Sequence, residues 1–251
     1  MEKIFYTAGE RKNQTAARSG RVSSLQTLGT LDGPGVRFVV FMQGCPLRCG
    51  CCHNPETWKA SAGTEYTADE LVRRIIKYKE YFGREGGVTL SGGEPLLQPE
   101  FSAEIFRLCK KTGINTCLDT SGCILNEAVN ELLKYTDYCM LDIKYCTDEQ
   151  YKSYVGCGIE GPIEFLEHLN EAGITTRLRQ VTVPGLNDSP ESIEFLNSLK
   201  AKYQCVERIE LLPFRKLCVT KYQKLGLEFP FSRIPEPSPD DMKKLENLLT
   251  P

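Results

Sequence analysis

Val36-Arg37-Phe38-Val39-Val40-Phe41-Met42-Gln43-Gly44-Cys45-Pro46-Leu47-Arg48-Cys49-Gly50-Cys51-Cys52-His53 joins a continuous apolar run to a loop crowded with cysteine. Residues 36–42 lack the alternation of a half-buried strand. They read as a short strand covered on both faces, the kind found in parallel sheets. The loop begins where that strand ends, and parallel α/β folds carry their chemistry at the carboxyl ends of their strands.

The same rhythm recurs downstream. Thr67 and Glu70 form a capping-box pattern ahead of a helix whose Leu71, Val72, Ile75 and Ile76 share one face. Residues 87–90 read as a second strand running into Ser91-Gly92-Gly93-Glu94, and 101–111 as a helix stopped by Gly113. Strands at 115–118, 138–143, 175–183 and 208–212 alternate with helices at 126–134 and 163–172. Further helices open at Ser189-Pro190 and at Ser238-Pro239, the latter with Asp240 and Asp241 in its first turn. A loop over about 214–237 delays the last one. Six strand–helix repeats imply a parallel sheet with right-handed crossovers. They are too few for a closed eight-stranded barrel, so an open, partial barrel is expected. No repeat of fixed period suggests a solenoid. Residues 1–20 read as a flexible polar arm and 21–251 as one domain.

Composition narrows the function classes. Of 251 residues, 41% are hydrophobic and 25% charged, enough apolar material for a sizeable soluble core. A net charge of -2 supplies no basic footprint for nucleic acid. No run approaches the roughly 18 apolar residues of a membrane span. Lys3, Arg11, Lys12, Arg18 and Arg21 are not followed by the apolar stretch of a signal peptide. The 12 cysteines are therefore expected in a reducing cytoplasm, where clustered thiols read as metal ligands or catalytic groups. Cys109, Cys117, Cys123, Cys139, Cys146, Cys157, Cys205 and Cys218 are scattered and read as small core residues.

Cys45, Cys49 and Cys52 stand at C-x3-C-x2-C spacing. Three thiolates can hold three corners of a cubic 4Fe-4S cluster. No fourth ligand is evident, so one iron stays open and could chelate a small molecule through its amine and carboxylate. A structural zinc site of three cysteines and His53 is the competing reading, but zinc sites pair two couplets and the next cysteine is Cys109. Cys49-x-Cys51 is a further ligand pair that spacing leaves open. Ser91-Gly92-Gly93-Glu94-Pro95 offers close backbone approach and a carboxylate for an ammonium group, or simply a turn before a helix. Asp119-Thr120-Ser121-Gly122 and Met140-Leu141-Asp142-Ile143-Lys144 end strands at the same rim, where they could bind a cation or polar ligand, or form turns and a surface ion pair. Asp32-Gly33-Pro34-Gly35 reads as a tight turn, and Arg179, inside a strand, needs a partner if buried. His168 reads as structural or exposed, and Trp58 as core or interface.

In this order the motifs carry a resemblance. The chain resembles the pyruvate formate-lyase activating enzymes, glycyl-radical-enzyme activases of the radical SAM (S-adenosylmethionine) superfamily, from about Arg21 to its C-terminus. The residues concerned are Gly29-Thr30-Leu31-Asp32-Gly33-Pro34-Gly35-Val36-Arg37, Gln43-Gly44-Cys45, Cys52-His53-Asn54-Pro55-Glu56-Thr57-Trp58, Gly86-Gly87-Val88-Thr89-Leu90-Ser91-Gly92-Gly93-Glu94, Cys117-Leu118-Asp119-Thr120, Met140-Leu141-Asp142-Ile143-Lys144, Val183-Pro184-Gly185 and Ile209-Glu210-Leu211-Leu212-Pro213.

The resemblance implies a partial (βα)6 barrel. It implies an oxidoreductase that reductively cleaves SAM and takes a hydrogen atom from a glycine of pyruvate formate-lyase. An activase of another glycyl radical enzyme, or a radical SAM enzyme acting on a small molecule, is the alternative. Many sibling activases carry a ferredoxin-like cysteine insert, for which residues 54–66 are too short. By resemblance, Cys45, Cys49 and Cys52 ligate the cluster, and Cys51, Cys52 and His53 line the adenine. Gly92, Gly93 and Glu94 face the methionyl end of SAM, and Asp142, Ile143, Lys144, Arg179 and Arg215 also contact SAM, with Lys144 counted among the catalytic residues. Asp119, Thr120, Met140 and Asp142 match a monovalent-cation site, and Asp32 lies where the glycyl loop is received. The implied electron donor is a flavodoxin or ferredoxin-like protein, in an anaerobic cell. Three positions depart from the family: Cys51 replaces an aromatic residue, Phe214-Arg215 replaces Tyr-His, and Cys218 replaces glycine. Arginine at 215 can donate or stack but cannot accept.

Overall fold

The structure is a computed structural model and describes residues 19–250. The expected N-terminal arm lies outside the described residues, except for Ser19 and Gly20, which begin the first strand. In chain order the strands are β1 (Ser19–Gly29), β2 (Arg37–Met42), β3 (Thr64–Thr67), β4 (Gly87–Gly92), β5 (Asn115–Thr120), β6 (Tyr138–Asp142), β7 (Thr175–Thr182) and β8 (Val206–Pro213). The helices are α1 (Ala68–Ile76), α2 (Pro99–Lys111), α3 (Glu127–Leu133), α4 (Asp148–Tyr154), α5 (Glu160–Glu171), α6 (Pro190–Lys202), α7 (Val219–Lys224) and α8 (Pro239–Glu246).

One sheet orders them β3-β1-β2-β4-β5-β6-β7-β8. From β2 to β8 the neighbours are parallel, while β1 and β3 add an antiparallel edge. The sheet does not close, as a six-unit partial barrel requires. Local chemistry sets the boundaries. Thr67 accepts from the Glu70 amide while the Glu70 side chain accepts from the Thr67 amide, and Ser238 with Asp241 repeats the arrangement on α8. Asn126 caps α3, and Ser189 caps α6 with Pro190 behind it. Among the described residues no helix is long and apolar enough to cross a membrane.

Alternation along the parallel strands divides the barrel's two faces. Val88, Leu90, Leu118, Cys139, Leu141 and Leu178 join the main core beneath the helices. Their neighbours Ser91, Asp119, Asp142 and Arg179 turn to the concave side, with Cys117, Tyr138 and Met140 forming a small apolar cluster of their own. The polar motif residues thus share one face because they occupy alternate positions on adjacent strands. Two helices depart from expectation: α4 stands in what reads as a β6–α5 connection, and α7 interrupts the loop over 214–237.

Candidate active site

The cysteine loop is clamped from three sides. Gln43 is buried at its start; its amide nitrogen donates to the Glu56 and Lys59 carbonyls (both 3.0 Å), and its backbone carbonyl accepts from Gln98 (2.8 Å). The Arg48 and Gly50 amides donate to Val155 and Tyr154 at the end of α4, both at 2.9 Å. The segment after β8 covers the other side. Tyr222 donates to the Cys52 carbonyl (3.2 Å), His53 Nε2 donates to the Arg215 carbonyl (2.8 Å), and the Phe231 ring lies where a Cβ on Gly50 would be.

Within this frame Cys45, Cys49, Cys51 and Cys52 line a cavity of about 230 Å³ at the carboxyl ends of the strands. Cys45 and Cys49 pack on an apolar group with Leu47 and Tyr145, whereas Cys51 packs on a different one with Phe214 and Phe231. Burial pushes the Cys45 thiol up to about 12 and raises Cys49 and Cys52 as well, so thiolates here need a metal to hold them deprotonated. The donor set fits an iron–sulfur cubane. All four thiols are free. Among the described residues no three His, Cys, Asp or Glu side chains gather as ligands of one ion do, whereas a cubane takes its thiolates at separate corners.

Glycine lets β4 close on the loop. Gly92 has φ +100°, and a Cβ on Gly93 would sit 2.2 Å from the Gly44 carbonyl oxygen. The Gly93 amide donates to Met42 (3.0 Å) and that of Glu94 to Gly44 (2.8 Å). Side chains at 92 and 93 would force the strands apart, and without them bare backbone faces the cavity.

Glu94 also lines the cavity but is only 1% exposed. Its Oε1 accepts from Thr120 Oγ1 (2.6 Å) and the Leu96 amide (3.1 Å), and its Oε2 from the Ser121 amide (3.0 Å) and hydroxyl (2.5 Å). The carboxylate expected to await an ammonium group therefore already joins the β4 and β5 loops.

Asp119, Asp142, Lys144 and Arg179 come together on the cavity floor. Arg179 pairs with Asp119 and, at 2.9 Å, with Asp142, whose other oxygen accepts from Lys144 Nζ (2.9 Å). Ser91 donates to Asp119 at 2.7 Å. Burial raises Asp119 despite the pull of Arg179, whereas Arg179 and Lys144 together overcome burial at Asp142 and hold it low. The pairing expected at a surface is therefore a buried network, held by the β6–β7 register that sets Asp142 opposite Arg179.

Other expected residues lie apart. The Ile143 side chain is in the main core, leaving its backbone to the site. Arg215 pairs with Glu236 (3.0 Å) and does not line the cavity. Asp32 sits below, its carbonyl accepting from Thr89 Oγ1 (2.7 Å), which in turn accepts from Arg37 Nε (2.9 Å). Arg37 is wholly buried and also donates to the Pro34, Glu85 and Val88 carbonyls. His168 Nδ1 donates to the Glu164 carbonyl of its own helix (3.0 Å). Sequence reasoning gave no role to Gln43, Arg37 or the Lys221-Tyr222 pair. A polar residue inside or bordering an apolar run was the available signal for the first two.

Comparison with known proteins matches residues 39–196 to the radical SAM superfamily. The pyruvate formate-lyase-activating enzyme of Clostridium pasteurianum is 45% identical over 231 residues, covering 92% of this chain and 97% of the relative. The pyruvate formate-lyase 1-activating enzyme of Escherichia coli (strain K12) is 39% identical over 233 residues, covering 92% and 95%. Among solved structures, Streptococcus suis SuiB bound to precursor peptide SuiA superposes with a TM-score of 0.66 at 18% identity, over 83% of this chain and 44% of that one, a likeness of fold.

Proposed function

Since the chain belongs to the radical SAM superfamily and, within it, to the pyruvate formate-lyase activating enzymes, we propose that it cleaves SAM reductively and takes a hydrogen atom from a glycine of a pyruvate formate-lyase. The observation that carries this reading is one cavity, lined by Cys45, Cys49 and Cys52 on one side and by Gly92, Gly93, Asp142 and Lys144 on the other. When bound, the 4Fe-4S cluster supplies the single electron and SAM the carbon radical, chemistry no side chain can provide.

The chain's part is to hold and orient. Cys45, Cys49 and Cys52 would hold the cluster. Cys51, Cys52 and His53 offer backbone to the adenine. Gly92 and Gly93 admit the methionyl end against bare backbone, and Glu94 fixes the loop that carries them. Asp142, Ile143 and Lys144 border SAM. Asp119, Thr120, Met140 and Asp142 match a monovalent-cation site by resemblance, whereas here Arg179 engages Asp119, Met140 and Asp142 and Thr120 donates to Glu94. Arg179 shares the cavity floor, and Arg215 reaches the adenosine by leaving Glu236. Asp32 meets the glycyl loop. The clamp of α4 and the segment after β8 keeps water from the cluster. A flavodoxin or ferredoxin-like donor supplies the electron, in the cytoplasm.

Anaerobic reconstitution with iron and sulfide, then reduction with SAM and pyruvate formate-lyase, tests the reading. 5′-Deoxyadenosine should form together with a glycyl radical signal by electron paramagnetic resonance. Cleavage with no radical on the partner would point to a small-molecule substrate, and no cleavage would end the proposal.

A further inference from the structure

One buried polar atom beside the cysteine loop lacks a partner. The Tyr145 side chain is 2% exposed, and its hydroxyl has no hydrogen-bond partner among the described residues. It belongs to the apolar group on which Cys45 and Cys49 pack, together with Leu47, Tyr151 and Val155. Its neighbours fix the ring. Tyr151 meets it edge-on with centroids 6.2 Å apart, and Tyr154 lies at 5.4 Å. The backbone leading to it is fixed as well. The Lys144 amide donates to Tyr151 Oη (2.9 Å), and the Lys144 carbonyl accepts from Asn187 Nδ2 (2.8 Å).

A buried hydroxyl left unpaired is costly, so one held this rigidly calls for an acceptor. Burial pushes the Tyr145 hydroxyl well up, and negative charge on Cys51 or Cys49 would raise it further, so it keeps its proton and is available as a donor. Neutral thiols accept hydrogen bonds weakly, whereas a sulfur that carries negative charge accepts them well. Of the two cysteines, Cys49 is the one read above as a cluster ligand and shares the packing group of Tyr145. Cys51 packs instead with Phe214 and Phe231.

We propose that the Tyr145 hydroxyl donates a hydrogen bond to sulfur at the Cys49 corner of the cluster and so sets how readily the cluster takes up its electron. This rests on the 4Fe-4S reading of Cys45, Cys49 and Cys52 and deepens it. A donor to a cluster sulfur favours the reduced, more negative form, because the bond strengthens as charge is added. The apolar shell around Cys45 and Cys49 works the other way, since it disfavours added charge. The hydroxyl supplies part of what that shell withholds.

Tyr145→Phe removes the oxygen and keeps the ring. Without a cluster it should unfold at no lower urea concentration than the parent, since the hydroxyl has no partner to lose. A clear loss would mean that the protein itself already pairs the hydroxyl, and would overturn the proposal. In the cluster-loaded protein without SAM, a redox titration followed by electron paramagnetic resonance reads the effect. At a fixed potential the ratio of reduced to oxidised cluster should fall about tenfold in Tyr145→Phe, a midpoint about 59 mV lower for one electron. The sign separates this from a packing defect, because water admitted to the site would raise the midpoint. An unchanged or raised midpoint overturns the proposal. Iron–thiolate stretching bands in resonance Raman spectra should shift more in deuterium oxide for the parent than for Tyr145→Phe. Equal shifts would leave the hydroxyl to the Cys51 thiol and overturn it too. A parent that takes up no four-iron cluster ends the cluster reading itself, and this proposal with it.

Discussion

Lys221 Nζ donates to Glu56 Oε1 at 2.6 Å and to Asn54 Oδ1 at 2.8 Å, tying α7 to the turn that follows the last cysteine of the loop. The other oxygen of Glu56 is buried and without a partner, so Lys221 is the charge that makes this carboxylate tolerable. Because the pair is half-exposed, Lys221→Met should cost only about 0.5–1 kcal/mol in urea unfolding. Its larger effect should be local. Iron should pass from the loaded protein to a chelator severalfold faster, since the cover over Cys52 is loosened. An unaltered release rate would mean that the segment after β8 does not shield the loop.

The four neighbouring thiols should separate cleanly by substitution. Cys49 shares its packing with Cys45, whereas Cys51 turns to Phe214, Tyr222 and Phe231. Cys51→Ala should keep its full iron content after reconstitution and lose about 1 kcal/mol from a small packing defect. Cys49→Ala should lose the cluster and its visible absorption. The reverse result would reassign the ligands to Cys45, Cys51 and Cys52.

Glu94 predicts an unfolding penalty out of proportion to its size. Four donors converge on its carboxylate. Glu94→Gln turns one acceptor into a donor facing other donors, which should cost about 2–3 kcal/mol. Denaturant titration measures it. A loss well under 1 kcal/mol would mean that the β4 and β5 loops hold together without this carboxylate.

The parallel units were legible in the sequence because each strand is a short apolar run and each helix carries a cap or a stop. The cysteine loop, the glycine pair and the two aspartates were legible because they stand at strand ends. β1 was not. Only Gly20, Val22 and Gly29 of its residues are buried, and backbone pairing with β2 and β3 leaves no hydrophobic period to read. α4 and α7 are seven and six residues long, too short to show a face. Arg179 could be flagged as a buried charge in need of a partner, but its partners come from β5 and β6 and depend on register across the sheet. Glu94 was expected to await a ligand because sequence cannot reveal that Thr120 and Ser121 reach it first.

Asp32 links stability to the role proposed for it. Burial raises its carboxyl above the ordinary 3.8, and the charge of Arg179 only partly opposes the shift. The folded protein therefore holds the Asp32 proton more tightly than the unfolded chain does. Its contribution to stability is fully present below the unfolded value and is lost as pH rises through the folded one. Asparagine keeps the shape and cannot ionise. Asp32→Asn should thus gain stability over the parent as pH rises above the ordinary 3.8, with the gap widening until the folded carboxyl has ionised. Chemical denaturation at a series of pH values measures the gap. The same variant should transfer less radical to pyruvate formate-lyase, since a half-buried carboxylate kept at a cost to stability calls for a function that uses its charge. A gap that narrows with rising pH would mean that Arg179 stabilises the carboxylate outright, and the case for a functional charge at Asp32 would then lose its energetic support.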